Sequence, residues 1–173
     1  MTATQRYAAA AGMVLALTCG YLGVGRGEAQ EAGARRPPPA PVDMCGLLTQ
    51  EEAGAILGTP STGPEKGPSN SCIFAAQSGQ GDIMIHMLPL NFGSKEEFHA
   101  FVVKDTDQMN ARIKKQLGDA VKPTTVDPVP DLGEAAYYVS PTLIILKDGR
   151  VLSILAGDRK QAEAVAEKAE PRF

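Results

Sequence analysis

Between Gln50 and Ala169 the chain changes its hydrophobic rhythm repeatedly, and each change falls at a recognisable start or stop signal. Apolar residues return at helical spacing in three stretches. Ala53, Ile56 and Leu57 mark the first, over Gln50 to Leu57, which stops at Gly58 with Pro60 just beyond. Phe98, Phe101, Val102, Met109, Ile113 and Leu117 form one stripe of a second helix, Lys95 to Leu117. Lys114 and Lys115 complement its C-terminal dipole, and Gly118 ends it. Ala162, Val165, Ala166 and Ala169 predict a third, from Arg159 to about Ala169, halted at Pro171. Each helix opens on a capping-box pattern: Thr49-x-x-Glu52, Ser94-x-x-Glu97 and Asp158-x-x-Gln161. In such a box two side chains reciprocally satisfy amide donors that have no partner inside the helix.

Alternation replaces the helical period elsewhere. Ser71 to Ala76 and Asp82 to Leu88 flank the loop QSGQG and read as a hairpin. Leu143 to Leu146 and Val151 to Ala156 surround Asp148-Gly149, a dipeptide suited to a type I′ turn because both residues tolerate positive φ. Ala135 to Val139 adds a fifth strand, ended by Pro141. The segment KPTTVDPVPDLG reads as loop, since Pro123, Pro128 and Pro130 cannot serve a central ladder. The expected order is α-β-β-α-β-β-β-α. Hairpins in place of crossovers imply an α+β fold, an antiparallel sheet of about five strands with helices packed on one face.

The front of the chain has another character. A short polar start with Arg6 precedes an 18-residue apolar run, Tyr7 to Val24, and then small residues, the layout of a secretory signal peptide. Cleavage is expected after Ala29, in Gly27-Glu28-Ala29; Ala32-Gly33-Ala34 fits the small-x-small pattern better but lies farther downstream. Two alternatives stay open. The run reaches the lower limit for a retained membrane anchor. Cys19 offers a lipidation site, although Thr18 precedes it and the apolar run continues through Tyr21 and Leu22. Residues 30–42, with Pro37, Pro38, Pro39 and Pro41, form an extended tether, and 43–173 a single domain. Without residues 1–29 the chain carries 15 basic and 19 acidic residues, a net −4. That balance, with no Trp and no basic cluster beyond Arg35-Arg36, argues against nucleic acid and against anionic lipid as partners. Membrane contact is then expected only through the N-terminus.

Export leaves two cysteines, Cys45 and Cys72, and an even count in an oxidising compartment reads as a disulfide. Closing a loop of 27 positions would stabilise the fold by about 3.5 kcal/mol in the chain-entropy model. The competing reading is a Cys45 thiolate at a helix start, activated by the dipole and served by His86 or His99. Neither histidine lies in a catalytic motif.

The run CGLLTQEEAGAILGTP, the second Cys opening CIFAA, and VPDLGEAAYYV leading into LIILKDGRVLSILAG together resemble a family of small exported bacterial proteins, many of them lipoproteins. That family is known as a domain of unknown function. The resemblance spans Val42 to Phe173, and implies a fold and a compartment but no activity.

Enzyme signatures fail in turn: the mature chain has no G-x-S-x-G, no H-E-x-x-H and no P-loop. Glu51-Glu52 and Glu96-Glu97 occupy first helical turns, where carboxylates meet the dipole. Asp127, Asp131 and Glu134 share one loop and offer oxygen ligands, without the spacing of a calcium loop. In IMIHML, alternation points Met84 and His86 to the same side and Met87 to the other. Thioether and imidazole side by side suit Cu(I), though two ligands make half a site. The sequence therefore predicts a non-enzymatic exported module, without a cofactor, that binds a protein, peptide or envelope component. A periplasmic copper-binding accessory protein and an unrecognised hydrolase or sensor domain are the alternatives.

Overall fold

The computed structural model describes residues 41–173. The expected signal segment, and all of the tether except Pro41 and Val42, lie outside the described residues. In chain order the elements are α1 (Gln50–Leu57), β1 (Ser61–Gly67), β2 (Ser71–Ala76), β3 (Asp82–Asn91), α2 (Lys95–Leu117), β4 (Asp127–Pro128), β5 (Ala135–Val139), β6 (Thr142–Lys147), β7 (Arg150–Leu155) and α3 (Arg159–Ala169). All three helices fall where their caps and stripes place them. The fold is α+β with an antiparallel sheet, as expected.

The sheet has seven strands, not about five, in the order β1-β2-β3-β7-β6-β5-β4. The two additions are its edges. β1 reads STGPEKG and has no apolar alternation, yet β2 takes it as an antiparallel partner from Gly67↔Ser71 to Ser61↔Ala76. Its pairing is backbone chemistry, reinforced by Thr62 Oγ1 donating to the Ala75 carbonyl (3.2 Å) and Gln50 Nε2 donating to the Ser61 carbonyl (2.7 Å). β4 is only Asp127-Pro128, laid against Tyr138 and Tyr137. Proline is tolerated there because an edge strand needs donors on one side only. The order becomes α-β-β-β-α-β-β-β-β-α.

The helices occupy both faces of the sheet, which corrects the one-face expectation. Ala136 and Tyr138, Leu143 and Ile145, Leu152 and Ile154, Ile83 and Ile85, and Cys72 and Phe74 face α1 and α3 in the larger core. The buried stripe of α3, Ala162, Val165, Ala166 and Ala169, seats its small side chains there. The alternate residues Leu146 and Val151, with Leu88, Leu90 and Tyr137, face α2 in a second core built on Phe92, Phe98 and Val102. Phe92 stacks at a tilt on Phe98 (5.3 Å) and Phe101 (5.2 Å), and Phe98 on Tyr137 (5.6 Å). Strand alternation fixes two faces; it does not say which helix covers which, because β5 and β6 are apolar on both.

Only the first helix start is a strict capping box. The Glu52 amide donates to Thr49 Oγ1 and Glu52 Oε2 accepts from the Thr49 amide. At α2 and α3 the returning side chain reaches one residue farther back: Glu97 accepts from the Gly93 amide (3.0 Å) and Gln161 from the Gly157 amide (3.1 Å). Between β6 and β7 Asp148 (φ 51) and Gly149 (φ 75) form the left-handed pair the type I′ reading required.

α2 outruns its support. At 23 residues it is about 34 Å long, whereas β5 beneath it has five residues, about 17 Å. Its buried residues, Phe98, Val102 and Thr106, all lie in the first half. The second half is held mainly by its own return segment, in which Asn110 exchanges two 2.8 Å hydrogen bonds with Thr124.

Candidate functional site

Asp43 caps a short 3-10 turn, Met44–Gly46, by accepting from the Cys45 amide, and Met44 buries itself in the larger core. That turn sets Cys45 above β2, where Cys72 is fully buried between Lys66 and Ile85 on the neighbouring strands. The two sulfurs are bonded, with S–S 2.06 Å and Cα–Cα 5.1 Å. The bridge ties the segment entering α1 to the second strand of the sheet. Cys45 is therefore not a free nucleophile, and the bond fits an oxidising compartment.

Met84 and His86 share a sheet face, as alternation predicted, and it is the face opposite α1 and α3. The hairpin made β2 one neighbour of β3, but the strand on its other side was not legible in the sequence. Strand order places β2 and β7 on either side of β3, so Met84 lies between Ile73 and Leu155, and His86 between Ser71 and Ser153. Ile73, Met84 and Leu155 form a half-buried apolar row across three central strands, and they belong to neither core. His86 Nε2 is shielded from solvent and has no hydrogen-bond partner. Ser71 Oγ donates to the Pro68 carbonyl (2.7 Å) instead of to His86. Met87 packs on the opposite face, against the larger core. His99 sits far along the sheet on α2, its ring 5.1 Å from that of Tyr137.

The acidic candidates are drawn into structural work. Glu52, besides its cap, accepts two 2.7 Å hydrogen bonds from Arg172, whose Nη1 also donates to the Leu47 carbonyl (3.1 Å). The Arg172 bonds, with the Thr49 amide, hold the Glu52 carboxyl down from 4.5 to about 2. Asp127 faces Arg159 at 3.7 Å, and Glu134 accepts from the Asp148 amide (2.7 Å), bracing the β6–β7 turn. Asp131 holds a left-handed turn conformation (φ 61). Among the described residues no group of three His, Cys, Asp or Glu side chains is arranged to hold a metal ion.

Two further hollows lie at the surface. One of about 390 Å³ adjoins the disulfide and is lined by Val42, Asp43, Cys45, Lys66 and Asn70; one of about 690 Å³ separates α1 from the start of β1. The second contains only one titratable side chain, Glu51, at its rim. No described helix is long and apolar enough to cross a membrane. No protein-family model, curated protein or solved structure matches the chain.

Proposed function

We propose that the protein is an exported, non-enzymatic module that binds a protein or peptide of the cell envelope through the open part of its sheet face. The observation carrying this reading is the row Ile73–Met84–Leu155, apolar, in register and outside both cores. The sheet edges are poor alternatives for strand addition. β1 carries Pro64, Lys66 and a register shift between Ser61 and Pro64, and β4 is two residues long with a proline. Such features blunt an edge against pairing. Recognition by a face leaves the backbone ladder intact and uses side chains alone. The involvement of Glu52, Glu97, Asp127 and Glu134 in caps, turns and ion pairs supports a non-enzymatic reading, and the disulfide supports export. Were the N-terminus retained or lipidated, the proline-rich stalk would present this face at a distance from the membrane.

A photo-crosslinking amino acid at Met84 or Leu155 tests the reading in intact envelopes. The expected result is a discrete adduct at both positions, absent with the same probe at Lys160 on α3 and lost when Ile73 is changed to Asp. Identical patterns from all three positions would overturn it.

A second reading is Cu(I) handling, favoured by the unpartnered, shielded Nε2 of His86 on the face of Met84. Its register neighbours are Ile73, Leu155, Ser71 and Ser153, so any further soft ligand must come from elsewhere. Stoichiometric Cu(I) uptake against a chromophoric chelator, lost in His86→Ala, is expected on this reading, and no uptake would end it.

A further inference from the structure

The half of α2 that overhangs the sheet brings apolar and basic groups together at one end of the molecule. Leu117 is 61% exposed and Val121 42%, and with Phe101 they are the large hydrophobic residues that the described structure leaves most open to water. Leu117 continues the stripe of Met109 and Ile113 by single helical steps of four. That stripe is buried at Phe98 and Val102, half-buried at Met109 and Ile113, and exposed at Leu117. The return segment brings Val121 and Pro123 beside Ile113 around a hollow of about 340 Å³. Arg112, Lys114, Lys115 and Lys122 are exposed on the same segment, against one carboxylate, Asp119, which Lys114 pairs at 2.9 Å. Residues 112–122 thus carry a net +3 on a chain whose total is −3. The chain-wide balance that argued against anionic lipid averages over this local reversal of sign.

Helix-dipole compensation explains Lys114 and Lys115 but not Lys122, which lies beyond the helix, and it does not explain exposed Leu117 and Val121. An exposed apolar helix end on a locally cationic segment can insert shallowly among lipid headgroups, with apolar side chains at the acyl boundary and ammonium groups at the phosphates. The tip is the free end of a helix and not a deep groove, so a flat charged surface fits it better than a peptide strand. We infer that the C-terminal end of α2 and its return segment form a docking tip for an anionic lipid surface, independent of any N-terminal anchor and of the open sheet face.

The chain has no Trp, so a single introduced indole reports one position. Full-length Leu117→Trp, and separately Val121→Trp, would be mixed with phosphatidylcholine vesicles containing roughly a third phosphatidylglycerol. The expected result is a shift of emission to shorter wavelength, reversed in about 1 M salt, where the screening length falls to about 3 Å. The shift should be absent on pure phosphatidylcholine, absent for Lys160→Trp, and lost on adding Lys114→Glu, Lys115→Glu and Lys122→Glu. Anchoring by the apolar N-terminal run alone leaves the indoles at 117 and 121 unshifted and overturns the inference. An equal shift on neutral vesicles, or one that survives the three charge reversals, overturns it as well.

Discussion

Arg172 closes a two-pronged hydrogen bond onto Glu52, 120 positions earlier in the chain, with both distances 2.7 Å. The same carboxylate caps α1, so one side chain fastens the far end of the chain to the start of the first helix. The arrangement gives folding a definite dependence on pH. The folded carboxyl titrates at about 2, below its ordinary 4.5, so its contribution is complete above about pH 5 and is lost as pH falls toward 2. The pair is partly exposed, so solvent screening reduces its worth well below what that shift alone would imply. Melting temperatures measured from pH 7 to 2 should fall through that window. Glu52→Gln, which preserves the acceptor for the Thr49 amide, should lower stability at pH 7 and flatten the acid limb. An unchanged acid limb in Glu52→Gln would show that other carboxylates govern it.

The Cys45–Cys72 bridge closes a loop of sequence separation 27. Mass spectrometry of protein purified without reductant should find it two hydrogens lighter than the reduced chain. The pair Cys45→Ala with Cys72→Ala should lose about 2–5 kcal/mol in denaturant unfolding. Two free thiols in the native protein would refute the bridge.

Gly133 and Gly58 both hold positive φ, at 56° and 70°, but in different surroundings. A Cβ at Gly133 would collide with the Leu146 carbonyl oxygen and approach Ile145 Cγ2 to 2.8 Å, while one at Gly58 meets open space. Gly58→Ala should therefore cost about 1 kcal/mol, the left-handed penalty alone. Gly133→Ala should cost about 2–4 kcal/mol, because backbone contact adds to the same penalty. Equal costs in urea titrations would mean that the Gly133 turn yields easily.

The overhang of α2 makes a paired prediction for stability. Phe98 is fully buried in the second core, so Phe98→Ala should cost about 3–5 kcal/mol. Leu117→Ala, on the same stripe five turns later, should change unfolding by less than about 0.5 kcal/mol. A large loss at Leu117 would mean that the end of α2 is covered in solution.

Local chemistry determined the helices and hairpins. Thr49, Ser94 and Asp158 place the helix starts, Asp148-Gly149 places one turn, and alternation in IMIHML puts Met84 and His86 on one side, because each signal acts within a few residues. The even cysteine count likewise anticipated the bond between Cys45 and Cys72. Tertiary structure decided what depends on partners distant in sequence. STGPEKG becomes an edge strand only because β2 offers its backbone, and Asp127-Pro128 pairs only because β5 lies beside it. β3 meets β7 across α2 and three intervening strands, and this sets Leu155 beside Met84 and Ser153 beside His86, opposite the Ile73 and Ser71 that the β2–β3 hairpin supplies. The stripe on α2 reads as continuous from Phe98 to Leu117, yet its burial fades from complete at Phe98 to an exposed Leu117. Periodicity records which side of a helix is apolar, and the extent of the sheet beneath determines how much of that side is buried.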